Sequence, residues 1–218
     1  MSNPPSPKVT VFDDTCFLLQ NFLSVSEQLE LYSYIASRDR TPWSILPVAM
    51  VPSPKTLTFD TSSPQIPLTS TSPSPATSMV DRCHSYVLGN SPLNVPTHCG
   101  SLLRTSSVPY VSLGAIRYKA PDGKFPPHVD HCSGSLVYLM TLGCCASFMV
   151  KTPGLEDKVF FDLKSGDMLV FDATTEANVL HAVTGIWEGS CPEELGEEFE
   201  VLKGHRFGVQ CRVRVGEV

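Results

Sequence analysis

Leu163-Lys164-Ser165-Gly166-Asp167-Met168-Leu169-Val170-Phe171 is a turn that feeds the chain into an apolar strand. Ser-Gly-Asp is turn chemistry, since glycine tolerates φ > 0 and the aspartate side chain can bond to neighbouring backbone amides. The apolar run behind it suits a buried strand. Working outward, the same texture recurs. Tyr110 to Tyr118, Ser135 to Leu142, Ala146 to Thr152, Lys158 to Leu163 and Asp167 to Phe171 are short apolar or alternating runs cut by Gly, Pro and Asp, and Arg206 to Val215 is a final alternating run. Short strands separated by turn signals predict a sandwich or barrel rather than a parallel α/β sheet.

The first third has a different texture. Val9 to Leu18 reads as extended chain. Ser24-Val25-Ser26-Glu27 is a capping box, in which the serine and the glutamate three residues on satisfy free amides at a helix start. Leu29, Leu31, Tyr32 and Ile35 then recur at helical spacing, predicting about three turns that end near Ser37. Trp43 to Val51 is strand-like. Residues 52–78 are rich in Pro, Ser and Thr with few aliphatic anchors, which predicts a loop, either a lid or a disordered insertion. Met79 to Leu88 is a second helix, stopped by Gly89-Asn90-Ser91-Pro92. The expected fold class is α+β, mainly β. It is a double-stranded β-helix (jelly-roll) core with N-terminal helices packed outside, in one domain over residues 1–218.

At 218 residues the chain can bury one substantial core. A net charge of −6 argues against a broad basic face of the kind that grips polyphosphate, although a local patch is compatible with it. The opening Met1-Ser2-Asn3-Pro4-Pro5-Ser6-Pro7-Lys8 has no apolar segment, and no later run is long enough to span a bilayer. A cytoplasmic or nuclear protein with reduced thiols is expected, monomeric and with no membrane partner. Cys144-Cys145 lies in an apolar, strand-like stretch as small buried hydrophobes. The pairs Cys83-His84 and His98-Cys99 fit none of the usual zinc spacings.

The chemistry lies in three separated pieces. In Pro127-His128-Val129-Asp130, strand alternation puts an imidazole and a carboxylate on one face. His131 is turned away by the same alternation and is expected at the rim. His181 follows the 163–171 turn and strand, and so can return a second imidazole on a neighbouring strand. Two neutral imidazoles and one carboxylate can hold Fe(II) on one face and leave the opposite face open for O2 and a further ligand. Arg206 and Arg212 share a strand at even spacing, so both can face inward. An inward arginine needs an anion, because a buried unpaired charge is very costly, and a guanidinium is a planar fork suited to carboxylate.

Ile116-Arg117-Tyr118, His128-Val129-Asp130, Tyr138-Leu139-Met140-Thr141-Leu142-Gly143, Ser165-Gly166-Asp167, His181 and Arg206…Arg212 together resemble the AlkB-type Fe(II)/2-oxoglutarate dioxygenases. The closing R-x5-R is the most characteristic part, and the match is closest over the second half of the chain. The resemblance implies that His128, Asp130 and His181 bind iron. It implies that Arg206, helped by the Tyr118 hydroxyl, pairs with the distal carboxylate of 2-oxoglutarate, and that Arg212 sits near its metal-chelating end. It implies a reaction with O2 in which 2-oxoglutarate becomes succinate and carbon dioxide while a substrate C–H bond is hydroxylated. If that carbon is an N-methyl, the product collapses to formaldehyde and a demethylated nitrogen.

Three positions depart from the family pattern. Ile116 stands where an Asn usually helps the cosubstrate, Cys132 where an acidic residue is common in nucleic-acid repair members, and Ala177 where an arginine commonly precedes the last histidine. Methylated nucleobases in DNA or RNA, a protein side chain and a small metabolite all stay open as substrates. A flipped base would call for aromatic stacking, which Trp43 or Phe59 can supply. A cupin-type metalloprotein that uses no 2-oxoglutarate is an alternative, which inward-facing Arg206 and Arg212 would disfavour. A silent binding module is another, kept open by Ile116.

Overall fold

The computed structural model describes residues 7–38, 75–89, 111–130 and 135–214. The chain opens with a hairpin, β1 (Lys8–Asp13) and β2 (Cys16–Gln20), followed by helices α1 (Val25–Arg38) and α2 (Pro75–Gly89). Strands β3 (Val111–Lys119), β4 (Phe125–Val129), β5 (Ser135–Gly143), β6 (Ala146–Lys151), β7 (Val159–Leu163), β8 (Met168–Asp172) and β9 (Leu180–Ile186) come next. A short helix α3 (Glu193–Glu198), a 3-10 turn (Glu200–Gly204) and β10 (His205–Arg214) complete it. A six-stranded sheet runs β1-β2-β8-β5-β10-β3 and a four-stranded sheet runs β4-β9-β6-β7. All pairings between these strands are antiparallel. Two such sheets with the helices outside form the expected double-stranded β-helix.

The turn at 163–167 anchors this arrangement. Gly166 sits at φ +86°, and a Cβ there would meet Gln28 Nε2 at 2.7 Å and the Leu23 carbonyl oxygen at 2.9 Å. The buried Asp167 carboxylate accepts hydrogen bonds from the amides of Asn21 and Lys164, both at 2.8 Å, so it ties the β7–β8 turn to the start of the helical region. The strand that follows, β8, is buried at every position and lies between β2 and β5.

Period-two alternation divides the interior into two layers. Phe17, Leu19, Tyr138, Met140, Phe207 and Val209 point from the large sheet toward the helices, where Leu31, Tyr32 and Ile35 of α1 meet them. Tyr32 packs edge-on against Phe207 with ring centroids 5.2 Å apart. The intervening residues Leu18, Val137, Leu139 and Leu169 face the other way, against Phe148 and Val150 of the small sheet. On β10 this alternation turns Arg206, Gly208 and Gln210 inward between the sheets. The capping box forms as read: Glu27 Oε2 accepts from the Ser24 amide at 2.8 Å, and Ser24 Oγ accepts from the Glu27 amide at 3.3 Å.

Some expectations shift. Helix α2 begins at Pro75, four residues before the expected start, since proline is well placed in the first helical turn where no amide is needed. The expected 52–78 loop therefore ends in helix, and the rest of it, like the strand expected at 43–51, lies outside the described residues. Cys144 and Cys145 are buried as expected, but in the turn between β5 and β6, where Gly143 takes φ +82°. Helix α3 and the 3-10 turn were not legible. They are short, the helix acidic, and each is held by one buried leucine, Leu195 and Leu202.

Candidate metal centre and its cavity

Strands β4 and β9 are neighbours in the small sheet, and their register sets His128 directly opposite His181. The two rings lie with centroids 4.2 Å apart. Asp130 follows β4 by one residue and returns to the same face, so that one candidate ligand atom from each of His128, Asp130 and His181 lies within 4.8 Å of the others. The three residues form a closed constellation on one side of the space between the sheets.

Each imidazole is held by its other nitrogen. His128 Nδ1 lies 2.9 Å from the Pro126 carbonyl and His181 Nδ1 lies 3.1 Å from that of Val179. A carbonyl only accepts, so Nδ1 carries the proton and Nε2 keeps its lone pair for a metal. His181 is 4 % exposed, and its burial, followed by the nearby His128, pushes its pKa down to about 4. It is neutral at ordinary pH, as a ligand must be. Phe171 and Phe148 pack around the His181 ring, with centroids at 4.7 and 6.2 Å, and Phe125 lies edge-on to His128 at 4.4 Å.

Asp130 is fixed from the large sheet. Arg212 on β10 donates from Nη2 to Asp130 Oδ2 at 2.8 Å, leaving Oδ1 facing His128 Nε2 at 3.6 Å. The Asp130 side chain is 9 % exposed and that of Arg212 16 %, so the pair is largely withdrawn from water. Arg212 Nη2 also lies 3.3 Å from Gln210 Oε1. Sequence reasoning expected Arg212 at the chelating end of a cosubstrate. It lies beside the triad, and there it holds the carboxylate of Asp130, a candidate ligand.

Beside the triad lies a cavity of about 400 Å³, counting its open mouth. His128 and His181 line one part of it, Tyr118 and Arg206 another, with Ile116, Leu139, Gly208 and Gln210 between. Arg206 is 1 % exposed. Its Nη1 donates to the Leu163 carbonyl at 2.8 Å and to that of Cys144 at 3.3 Å, whereas its buried Nε has no hydrogen-bond partner among the described residues. No carboxylate among those residues comes within ion-pair distance of it. Burial lowers its pKa to about 10, still far above neutrality, so it is a buried cation on which the Asp167 carboxylate acts only from beyond ion-pair distance. Tyr118 stands opposite Arg206 in the β10–β3 register. Burial pushes its phenol well above the ordinary value, so the hydroxyl stays protonated and able to donate.

The structure thus lines one cavity with four of the sequence-predicted residues, Tyr118, His128, His181 and Arg206, and joins the other two to it, Asp130 beside His128 and His181 and Arg212 bonded to Asp130. Ile116 lines the wall and adds no polar group. Ala177 is buried in the loop between β8 and β9. His131 and Cys132 lie outside the described residues, as do Trp43, Phe59 and the pair His98-Cys99. Cys83 is buried in α2, and among the described residues the His–Asp–His group is the one cluster of metal-type ligands. Sequence reasoning missed Gln210, whose signal was its even spacing from Arg206 and Arg212. No described helix is long and apolar enough to cross a membrane.

Two sheets closing on an inward triad define a double-stranded β-helix protein with a metal-type ligand set. Neither family models nor characterised sequences match the chain. Among solved structures, OsALKBH1 superposes with a TM-score of 0.59 at 15% identity, over 96% of this chain and 100% of that one. A Pseudomonas putida prolyl-4-hydroxylase gives 0.44 at 12% identity over 93% of each chain. The Drosophila melanogaster CENP-C cupin domain gives 0.32 at 15% identity, over 46% of this chain and 55% of that one. The first likeness establishes a shared fold and the other two add nothing to it. The fold is AlkB-like.

Proposed function

We propose that this protein is an Fe(II)- and 2-oxoglutarate-dependent dioxygenase that hydroxylates or oxidatively demethylates its substrate. The observation that carries this is Arg206, a buried cation with no carboxylate among the described residues at ion-pair distance, lining the same cavity as His128 and His181 of the triad. A protein that leaves such a charge unpaired is arranged for a ligand that brings the anion. A dicarboxylic 2-oxo acid meets both demands, with one carboxylate for Arg206 and a 2-oxo acid end for a metal. A cupin without such a cosubstrate has no use for the arginine.

The chain's own contributions follow from the geometry. His128 and His181 present Nε2 because their Nδ1 protons are engaged by carbonyls, and the Asp130 carboxylate is oriented by the hydrogen bond from Arg212. This set, two imidazoles and one carboxylate, is the donor chemistry of non-haem Fe(II) oxygenases. Arg206 supplies the charge for the distal carboxylate of 2-oxoglutarate, and the protonated Tyr118 hydroxyl supplies a further donor beside it. Ile116, Leu139, Phe148 and Val183 line the cavity with apolar surface, which excludes water and strengthens each of these contacts. Iron and 2-oxoglutarate would then supply the oxidation by O2, with succinate and carbon dioxide released and a C–H bond hydroxylated.

N-methylated nucleobases lead the substrate classes by the sequence resemblance, and a protein side chain or a metabolite follows. The −6 charge and the absence of the acidic residue at 132 weigh toward the latter two. A monomer in the cytoplasm or nucleus completes the proposal. The test is succinate formation from 2-oxoglutarate by anaerobically iron-loaded protein on admission of O2, with methylated oligonucleotides, peptides and no substrate as separate arms. Succinate that requires iron and vanishes in Asp130→Ala is expected. Iron-loaded protein that neither binds 2-oxoglutarate nor makes succinate in any arm would contradict the proposal.

A further inference from the structure

Gln210 lines the cavity on the same face of β10 as Arg206, Gly208 and Arg212. Its Oε1 faces Arg212 Nη2 at 3.3 Å, and since a guanidinium only donates, the amide oxygen must be the atom turned toward it. The amide nitrogen, with two N–H donors, is then the group left to the cavity, and among the described residues no acceptor for it is found. Arg212 Nη2 is at the same time committed to Asp130 Oδ2 at 2.8 Å. The wall beside Gln210 is otherwise apolar or bare. Ile116 and Gly208 are cross-strand partners, and a Cβ on Gly208 would stand 3.4 Å from Leu139 Cδ1 and 3.7 Å from Tyr118 Cε2. The cavity therefore has a cation at the Arg206 end, and at the metal end Gln210 is the one amide side chain among its lining residues.

We infer that the Gln210 amide donates to the metal-side carboxylate of the 2-oxo acid, the end near which the family resemblance put Arg212. The inference rests on the dioxygenase reading above. Gln210 is a binding residue with a second link, through Arg212, to the ligand Asp130. The two ends of the dianion are then held differently: the distal end by a full charge, the metal-side end by a neutral double donor that fixes direction without adding positive charge beside the metal.

The experiment is anaerobic calorimetry of 2-oxoglutarate binding to Mn(II)-loaded protein, an oxygen-inert stand-in for iron, for wild type, Gln210→Leu, Gln210→Glu and Arg206→Lys. Mn(II) affinity is measured separately without cosubstrate, and a thermal melt checks that each variant is folded. Gln210→Leu should weaken 2-oxoglutarate about 10-fold or more, as expected for a lost hydrogen bond to a charged group, with Mn(II) affinity held within about 2-fold. Gln210→Glu, of equal size and unable to donate, should weaken it further. Unchanged 2-oxoglutarate affinity in both Gln210 variants, with a loss in Arg206→Lys, would overturn the inference and leave the dioxygenase reading standing. Loss of Mn(II) affinity by the same factor as 2-oxoglutarate affinity would also overturn it, because Gln210 would then act only by positioning Arg212 and Asp130. Absence of 2-oxoglutarate binding in wild type would sink the underlying reading, and the inference with it.

Discussion

The two ends of the cavity treat charge in opposite ways. At the metal end Asp130 is matched by Arg212, and burial keeps His181 neutral. At the other end Arg206 is 1 % exposed and donates to the Leu163 and Cys144 carbonyls, with no carboxylate among the described residues within ion-pair distance. The metal end is built mainly from β4 and β9 of the small sheet, the Arg206 end from β10 and β3 of the large one. One end matches its charge with Arg212 and presents a candidate ligand set. The other carries a charge with no carboxylate among the described residues at ion-pair distance, which makes it the better guide to function.

The largest test breaks the metal end. Asp130→Ala should lower metal affinity by more than about 100-fold, since even partners one shell out are worth about 10–100-fold. Calorimetry with Mn(II) measures this, and near-parental affinity would remove Asp130 from the ligand set. Next, Arg206→Met breaks the other end alone. It should weaken 2-oxoglutarate by roughly 30-fold or more while Mn(II) binding stays within about 2-fold, because truncating one partner of a buried charge pair costs about 2–5 kcal/mol. Equal losses of both ligands would erase the contrast between the ends.

A pH series sharpens the comparison. His181 titrates near 6.5 when unfolded and near 4 when folded, so the unfolded chain binds more protons between these values. Stability of the metal-free protein should therefore be fully present above about pH 6.5 and fall as pH drops toward about 4, by up to roughly 1.4 kcal/mol per unit. Denaturant unfolding at several pH values measures it, and His181→Gln should flatten the slope. Arg206 contributes nothing in this window, because its pKa of about 10 lies far above it. The smallest effect is the control. Ser24→Ala removes the capping box of α1 and should lower stability by about 1 kcal/mol without touching affinity at either end.

Much of this was legible in the sequence because period-two alternation is a local rule. His128 and Asp130, and Arg206 and Arg212, had to share faces wherever their strands lay. The turn at 163–167 was legible for the same reason, since Gly166 and Asp167 act on backbone next to them. What could not be read were facts of register. Nothing local says that His128 stands opposite His181 rather than one pair away, or that Arg212 Nη2 meets Asp130 across two sheets. Gln210 escaped notice because an uncharged amide on an alternating strand has no signature until its neighbours are known. Helix α3 escaped because two turns held by Leu195 carry too few apolar positions to define a period.

The central claim is that one cavity holds both a metal and a 2-oxo dicarboxylate. It is tested most directly by calorimetric titration of 2-oxoglutarate into anaerobic protein with and without Mn(II), alongside a monocarboxylic 2-oxo acid such as pyruvate. The account predicts a single site, markedly tighter with Mn(II) present, and much weaker binding of pyruvate, which has no distal carboxylate for Arg206. Equal affinity for the two acids, or 2-oxoglutarate binding indifferent to metal, would contradict it.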